Sequence, residues 1–223
     1  MIEILKRIYS SPARKKRAGI FVDYLKPSED DKILDIGSED GSYMACIIPY
    51  RKNVFIADIS DVLLNKGREK FGFNTILLDE SGVIPYPDRF FDIAFSSSVI
   101  EHVTVDKSDV VLFKSGIGFR EAAYKRQQRF ADEIRRVSKR YFVQTPDKYF
   151  FIESHTWLPF FIVFFPRRIQ IFIVQFFNKW WPKKTLPDWN LLTKEDMGRL
   201  FPDAEIILEK SFGFTKSIMA IKR

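Results

Sequence analysis

Three aspartates lie at the ends of three short apolar runs within the first 79 residues. The runs are Lys32-Ile-Leu-Asp-Ile-Gly37, Asn53-Val-Phe-Ile-Ala-Asp58 and Thr75-Ile-Leu-Leu-Asp79. Runs of this length and apolarity read as buried parallel strands. The first carries Asp35 and continues into Gly37-Ser-Glu-Asp-Gly41. Glycines at a strand-to-helix turn let the backbone approach a ligand and leave the helix N-terminus facing it. Asp58 follows Asp35 by 23 positions, the placing of an acid that takes both hydroxyls of a ribose. Each acid alone reads as a solvated loop carboxylate. Three at successive strand ends converge on the carboxyl edge of one sheet, where open α/β sheets bind their ligands.

Two cofactor classes suit such acids, a nicotinamide dinucleotide and S-adenosylmethionine. The dinucleotide needs Gly-x-Gly-x-x-Gly for its pyrophosphate. Here Glu39 and Ser42 occupy the second and third glycine positions, so that pattern fails. An adenosine with an amino-acid tail has no pyrophosphate and tolerates this turn better. Candidate bases for a transfer reaction are the two histidines, His102 and His155, whose pKa range suits proton transfer near neutrality. The competing reading makes each a packed or surface histidine. With one cysteine, Cys46, and two histidines, the chain lacks the ligands of a Cys/His zinc site and forms no internal disulfide. No metal is expected.

The elements that must hold these residues alternate. Residues 2–26 read as a helix, and the three runs above as strands. Met44–Tyr50 and Ser60–Phe71 read as helices, and Phe91–Ser96 as a fourth strand. Phe119–Ser138 is a charged helix with one apolar side, and Tyr141–Thr145 a fifth strand. Thr193 with Asp196 opens a late helix as a loose capping box. Ala204–Phe212 and Ser217–Lys222 are two strands joined by Gly213-Phe-Thr. The pattern predicts an α/β fold: a mostly parallel seven-stranded sheet, helices on both faces, and an antiparallel C-terminal edge hairpin. One domain covers 1–223, with a basic helical segment at 1–31 and an aromatic-rich insert at 146–190.

At this point a family resemblance appears. Lys32–Gly41, Val54–Asp58 and above all Ile84-Pro-Tyr-Pro-Asp-Arg-Phe-Phe-Asp-Ile-Ala-Phe-Ser-Ser-Ser-Val-Ile-Glu-His-Val103 resemble the class I S-adenosylmethionine-dependent methyltransferases of the type-11 group. Leu192–Ile221 is similar to the last helix and edge hairpin of that family; the aromatic insert lies outside the resemblance. The resemblance implies a Rossmann-like fold and S-adenosyl-L-methionine as cofactor. It implies that Asp35, Gly37, Ser38 and Gly41 line the methionine tail, that Asp58 holds the ribose and that Ile59 packs on the adenine. It further implies that Asp79 lies near the adenine amine and that Ser96 and Ser97 floor the pocket. One position departs: the family's middle glycine is Glu39. Its carboxylate either pairs with the ligand's ammonium or sulfonium or repels its carboxylate.

The acceptor side is read from charge and aromatics. The chain carries +7, with a pI near 9.4, which favours phosphate-bearing partners. Residues 149–189 hold 14 of the 35 aromatics. No uncharged run there reaches the roughly 18–20 residues of a spanning helix. Phe160, Phe161, Phe164, Phe165, Phe172, Phe176 and Phe177 recur at helical spacing around Pro166-Arg167-Arg168, followed by Trp180, Trp181, Lys183 and Lys184. One reading is a hydrophobic cap over the acceptor side. The other is a short helical hairpin that dips into a lipid surface, with Trp180, Trp181, Lys183 and Lys184 at headgroup level. Nucleic acid is disfavoured, because the aromatics sit among Ile, Val and Leu rather than polar residues. The expectation is methyl transfer to a small, lipid-linked or saccharide-type acceptor by a cytoplasmic protein, peripheral at a membrane. The alternatives are a catalytically silent membrane- or partner-binding module and an RNA methyltransferase.

Overall fold

The computed structural model describes residues 2–37, 39–79, 81–150, 165–180, 186–211 and 213–223, with side chains described from Pro12 onward. Seven strands form one sheet in the order β3-β2-β1-β4-β5-β7-β6. They are β1 (Ile33–Ile36), β2 (Val54–Asp58), β3 (Asn74–Leu77), β4 (Phe91–Ser97), β5 (Ser138–Pro146), β6 (Glu205–Ser211) and β7 (Phe214–Lys222). The helices are α1 (Ile2–Leu25), α2 (Ser42–Ile47), α3 (Asp61–Phe71), α4 (Gly116–Val137), α5 (Arg167–Phe177) and α6 (Lys194–Leu200). β1 pairs in parallel with β2 and β4, and β2 with β3. The chain leaves β1 toward β2 and β3, then returns to place β4 on the other side of β1. That reversal makes the carboxyl ends of β1 and β4 a topological switch point, where a ligand crevice opens.

The chain packs as two compact units. The first comprises Met1–Ser97, Glu133–Val143 and Ile221–Arg223; the second comprises Ser98–Asp132 and Gln144–Ala220. In the first unit β1 is buried at all four positions and β4 at five of its seven, mostly by apolar side chains. The end of α1 joins this core. Its Phe21 is fully buried and meets the Phe95 and Phe142 rings edge-on, at 4.9 and 5.8 Å between centroids. Phe95 and Phe142 themselves stack at 5.3 Å. The remote, apolar half of the predicted basic helix is thus a structural peg, while Arg14, Lys15 and Lys16 remain exposed.

The Ile84–Phe90 stretch enters β4 as turns rather than helix. Arg136, in the last turn of α4, holds it. Its guanidinium donates to the Ile84 and Tyr86 carbonyls at 2.9 and 2.8 Å, and to Asp88 at 3.0 Å. It also grips Glu133 through both carboxylate oxygens, at 2.8 Å each. Glu133 accepts in turn from the Ile84 N–H at 2.9 Å. Both groups are locked into their charged forms: these bonds hold the Glu133 carboxyl below its ordinary range and raise the Arg136 guanidinium.

In the second unit Val105, Val110, Phe119 and Ala123 form a small core backed by Phe113 and Ala122. α6 opens with the capping box: Thr193 Oγ1 accepts from the Asp196 N–H at 3.2 Å, and Asp196 accepts from the Thr193 N–H at 3.0 Å. Replacing Arg136 by alanine removes five hydrogen bonds from a partly exposed site, the Ile84 carbonyl keeping only its bond from the Tyr86 N–H. The expected loss is about 2 kcal/mol of stability, read as a lower urea midpoint at unchanged m-value.

Candidate functional site

The register sets the geometry of the first unit's crevice. Ile36 lies opposite Ala57, and the Gly37 N–H donates to the Ala57 carbonyl at 2.7 Å. Asp58 lies opposite Leu77, and Asp35 opposite Phe95. Continued by one step, this register puts Gly37, Asp58 and Ser97 in one row at the strand ends. Side chains alternate along a strand, so Asp35, Asp58 and Ser97 share one face of the sheet. Ser96 projects to the other face, where it is buried with its Oγ unpartnered.

Asp35 is buried, and its Oδ2 has no hydrogen-bond partner. Burial pushes its carboxyl well above the usual range, and the neighbouring charge of Asp58 pushes it further. A carboxylate held this way calls for a cation or donor from a ligand. Asp58 is differently placed. Its Oδ2 accepts from the Glu39 N–H at 3.1 Å and its Oδ1 from the Ser60 N–H at 3.0 Å. Both oxygens keep acceptor capacity, since a carboxylate offers about four lone-pair sites. Ile59, next along, is 64% exposed and presents an apolar surface beside these acids. Asp79 stands two residues past β3 and is exposed. It caps its own turn, accepting from the Ser81 hydroxyl and from the Ser81 N–H at 2.9 Å, and the Ser81 bonds hold its carboxyl below the usual range.

The glycine turn is tight. Gly37, Glu39 and Gly41 all take positive φ, of 71°, 55° and 70°. For glutamate this left-handed backbone costs roughly 1–2 kcal/mol, and the bond from its N–H to Asp58 offsets part of it. A Cβ at Gly41 would come within 2.7 Å of the Phe73 ring, and one at Gly67 of α3 within 2.7 Å of the Asp40 carbonyl oxygen. The loop is therefore wedged against both neighbours, with its backbone turned toward the crevice. Ser38 lies outside the described residues. An orphaned buried acid, a left-handed loop and an exposed apolar side chain together fit a nucleoside ligand with a cationic amino-acid tail.

The second unit carries His102 and a polar network that the sequence did not suggest. His102 ends a short 3₁₀ turn, Ile100–His102. Its Nδ1 is 3.2 Å from Asp188 Oδ1. A carboxylate only accepts, so Nδ1 carries the proton and the basic lone pair is on Nε2. Buried Gln127 of α4 holds the turn in place, donating at 2.9 Å to both the Ile100 and Asn190 carbonyls. Asn190 returns a bond to Gln127 at 2.8 Å, and the Asn190 N–H donates to the Glu101 carbonyl at 2.8 Å. Thr145 donates to the buried Glu101 carboxylate at 3.0 Å, and Thr104 to the Asp188 carbonyl at 2.7 Å. His155, the other candidate base, lies outside the described residues.

The Arg167-Arg168 pair splits. Arg168 is exposed, but Arg167 is buried, its guanidinium carbon 3.7 Å from the Phe119 ring centre. It donates to the Val110 and Pro187 carbonyls, and burial lowers its pKa to about 10. The two arginines therefore do not form one basic surface patch: Arg167 has turned inward to its aromatic and carbonyl partners.

Sheet order, switch-point crevice and glycine turn define a Rossmann-like methyltransferase fold. Residues 34–141 match a family model described as a methyltransferase domain. Solved structures agree on the fold. A S-adenosylmethionine-dependent methyltransferase from Clostridium acetobutylicum is 11% identical, covering 99% of this chain and 96% of its own, with a TM-score of 0.58. The PH0226 protein from Pyrococcus horikoshii is 15% identical, covering 96% and 89%, with a TM-score of 0.56. Magnesium protoporphyrin IX methyltransferase from Synechocystis, solved with SAH bound, is 11% identical, covering 97% and 85%, with a TM-score of 0.53. No curated protein sequence matches the chain. The domain match over residues 34–141 and the fold together support S-adenosylmethionine-dependent methyl transfer, with S-adenosyl-L-methionine as the cofactor.

Asp35 binds more protons in the folded than in the unfolded chain once pH exceeds about 4. Its contribution to stability is therefore present below its unfolded pKa and lost as pH rises through the raised folded one. Asp35→Asn should remove this slope, so that its urea midpoint falls less than the wild type's as pH rises from 4 toward neutrality. Parallel curves for the two proteins would contradict the assignment.

Proposed function

We propose that this chain, as one methyltransferase domain, transfers the methyl group of S-adenosyl-L-methionine to a small, lipid-linked or saccharide-type acceptor, working peripherally at a membrane surface. The observation that supports this reading is the buried Asp35 carboxylate at the end of β1, beside Asp58 and the left-handed turn. Asp35, Gly37, Ser38 and Gly41 receive the amino-acid tail of the cofactor. Asp58 receives the ribose, and Ile59 covers the adenine, with Asp79 toward its amine. Ser97 lines the floor on the Asp35 face, and Ser96 backs it from the other side of β4. When bound, the cofactor supplies an electrophilic methyl group on a sulfonium.

The protein's part is then positioning and proton removal. His102 takes the acceptor's proton at Nε2, while Asp188 fixes the ring and stabilises the imidazolium that forms, as the carboxylate of a His–Asp pair does. His155 is the other candidate for this role. Glu39 in the turn offers its exposed carboxylate to the cationic side of the cofactor.

Calorimetric titration with S-adenosylmethionine and S-adenosylhomocysteine tests the crevice. The wild type should bind both. Asp58→Ala removes charge-assisted hydrogen bonds, each worth roughly 1.5–3 kcal/mol, and should weaken binding at least about tenfold. Equal affinity in that variant would overturn the crevice assignment, and no heat from the wild type would favour a silent binding module. The acceptor class is tested by incubating the enzyme with labelled cofactor and a membrane extract. Label should enter the solvent-extractable lipid fraction, and His102→Gln should lower the rate with cofactor affinity unchanged. Label confined to RNA would overturn the acceptor reading.

A further inference from the structure

α5 has two apolar sides, and among the described residues only one of them is buried. Ile171 and Val174 face inward and are buried. Ile169, Phe172 and Phe176 face outward at spacings of three and four and are 43%, 67% and 51% exposed. At 100° per residue these three fall within about 60° of one another, a narrow ridge along the helix. Phe165 before the helix and Trp180 just after it are also exposed, Trp180 at 82%. The Phe172 and Phe176 rings stack on each other at 6.4 Å between centroids and leave their outer surfaces to solvent. Arg168 and Lys179 are exposed, and the helical angle places Arg168 along one edge of the ridge.

We propose that this ridge is a docking element for an anionic lipid surface, with α5 lying parallel to the membrane plane. Three features favour lipid over a protein occupant. Aromatic side chains of this kind expose roughly 500–600 Å² in all, short of the ~800 Å² per partner that a stable protein interface buries. A second copy of the helix would set like charges against each other at Arg168 and Lys179, whereas anionic headgroups neutralise them. Trp180 lies at the end of the ridge next to Lys179, and an indole beside an ammonium suits the headgroup level. No helix among the described residues is long and apolar enough to cross a membrane, so the ridge rests in the interface. This deepens the membrane part of the proposed function, and it stands or falls separately from methyl transfer.

The test is co-sedimentation of the full chain with vesicles of phosphatidylcholine alone or mixed with phosphatidylglycerol, at low and high salt. The wild type should pellet with the anionic vesicles. Salt should remove only part of the binding, because charge attraction is screened and apolar burial is not. Phe172→Ser combined with Phe176→Ser should lower the partition coefficient at least about tenfold. The same variant should bind S-adenosylmethionine like the wild type, which shows that it is folded and keeps the cofactor reading separate. As a second readout, Trp emission should shift to the blue with anionic vesicles, and Trp180→Phe should reduce that shift. Wild-type protein in the supernatant under every condition overturns the proposal. So does a double variant that pellets like the wild type. So does light scattering that shows a dimer dispersed by the double variant, since the ridge would then belong to a second copy.

Discussion

A carboxylate taken out of water without a partner is among the costliest things a folded chain can contain, and Asp35 is such a group. It sits where β1 ends, in a strand whose other side chains are all buried. Around it, the local structure withholds protein donors. The Gly37 N–H goes to the Ala57 carbonyl, and the Glu39 N–H goes to Asp58. The loop fits tightly against Phe73 and α3. The Asp35 Oδ2 is thereby left without a protein hydrogen-bond partner, and a cation or donor from a ligand is what would satisfy it.

In the second unit several buried polar groups are tied to one another. Gln127 bonds with Ile100 and Asn190, Asn190 with Glu101, and Glu101 with Thr145. A connected network of this sort fixes one geometry, because any slip breaks several bonds at once. His102 ends the turn that the network clamps, and Asp188 precedes Trp189 and Asn190 on the clamped segment. The orientation of the imidazole is therefore inherited from a glutamine one helix away.

Local signals in the sequence carried most of the fold. The Thr193–Asp196 box is four residues long, and the structure has both of its bonds. Strand ends were legible to within a few residues because apolar runs stop where Asp and Gly begin. β5 starts at Ser138, earlier than the apolar run at Tyr141 suggests, because α4 passes into it directly with no loop between. The candidate site was legible where its residues lie on one turn, as Asp35, Gly37 and Gly41 do. It was not legible where partners are distant. Asp188 is 86 positions from His102, and nothing in Leu-Pro-Asp-Trp-Asn signals a histidine partner. Gln127 hides in a helix whose neighbours are charged, and Arg167 looks like one half of a surface pair. Burial of both is decided by what the rest of the chain packs against them.

Glu39 makes the turn lean on a neighbour. Its left-handed backbone is tolerable in company with Asp58, whose carboxylate takes the amide of residue 39. Loss of Asp58 would leave a glutamate in a strained turn with no compensation. A glycine at position 39 would relieve the strain and keep the same N–H bond to Asp58. The side chain at this position is therefore the replaceable part of the turn, and the backbone bond beneath it is the fixed one.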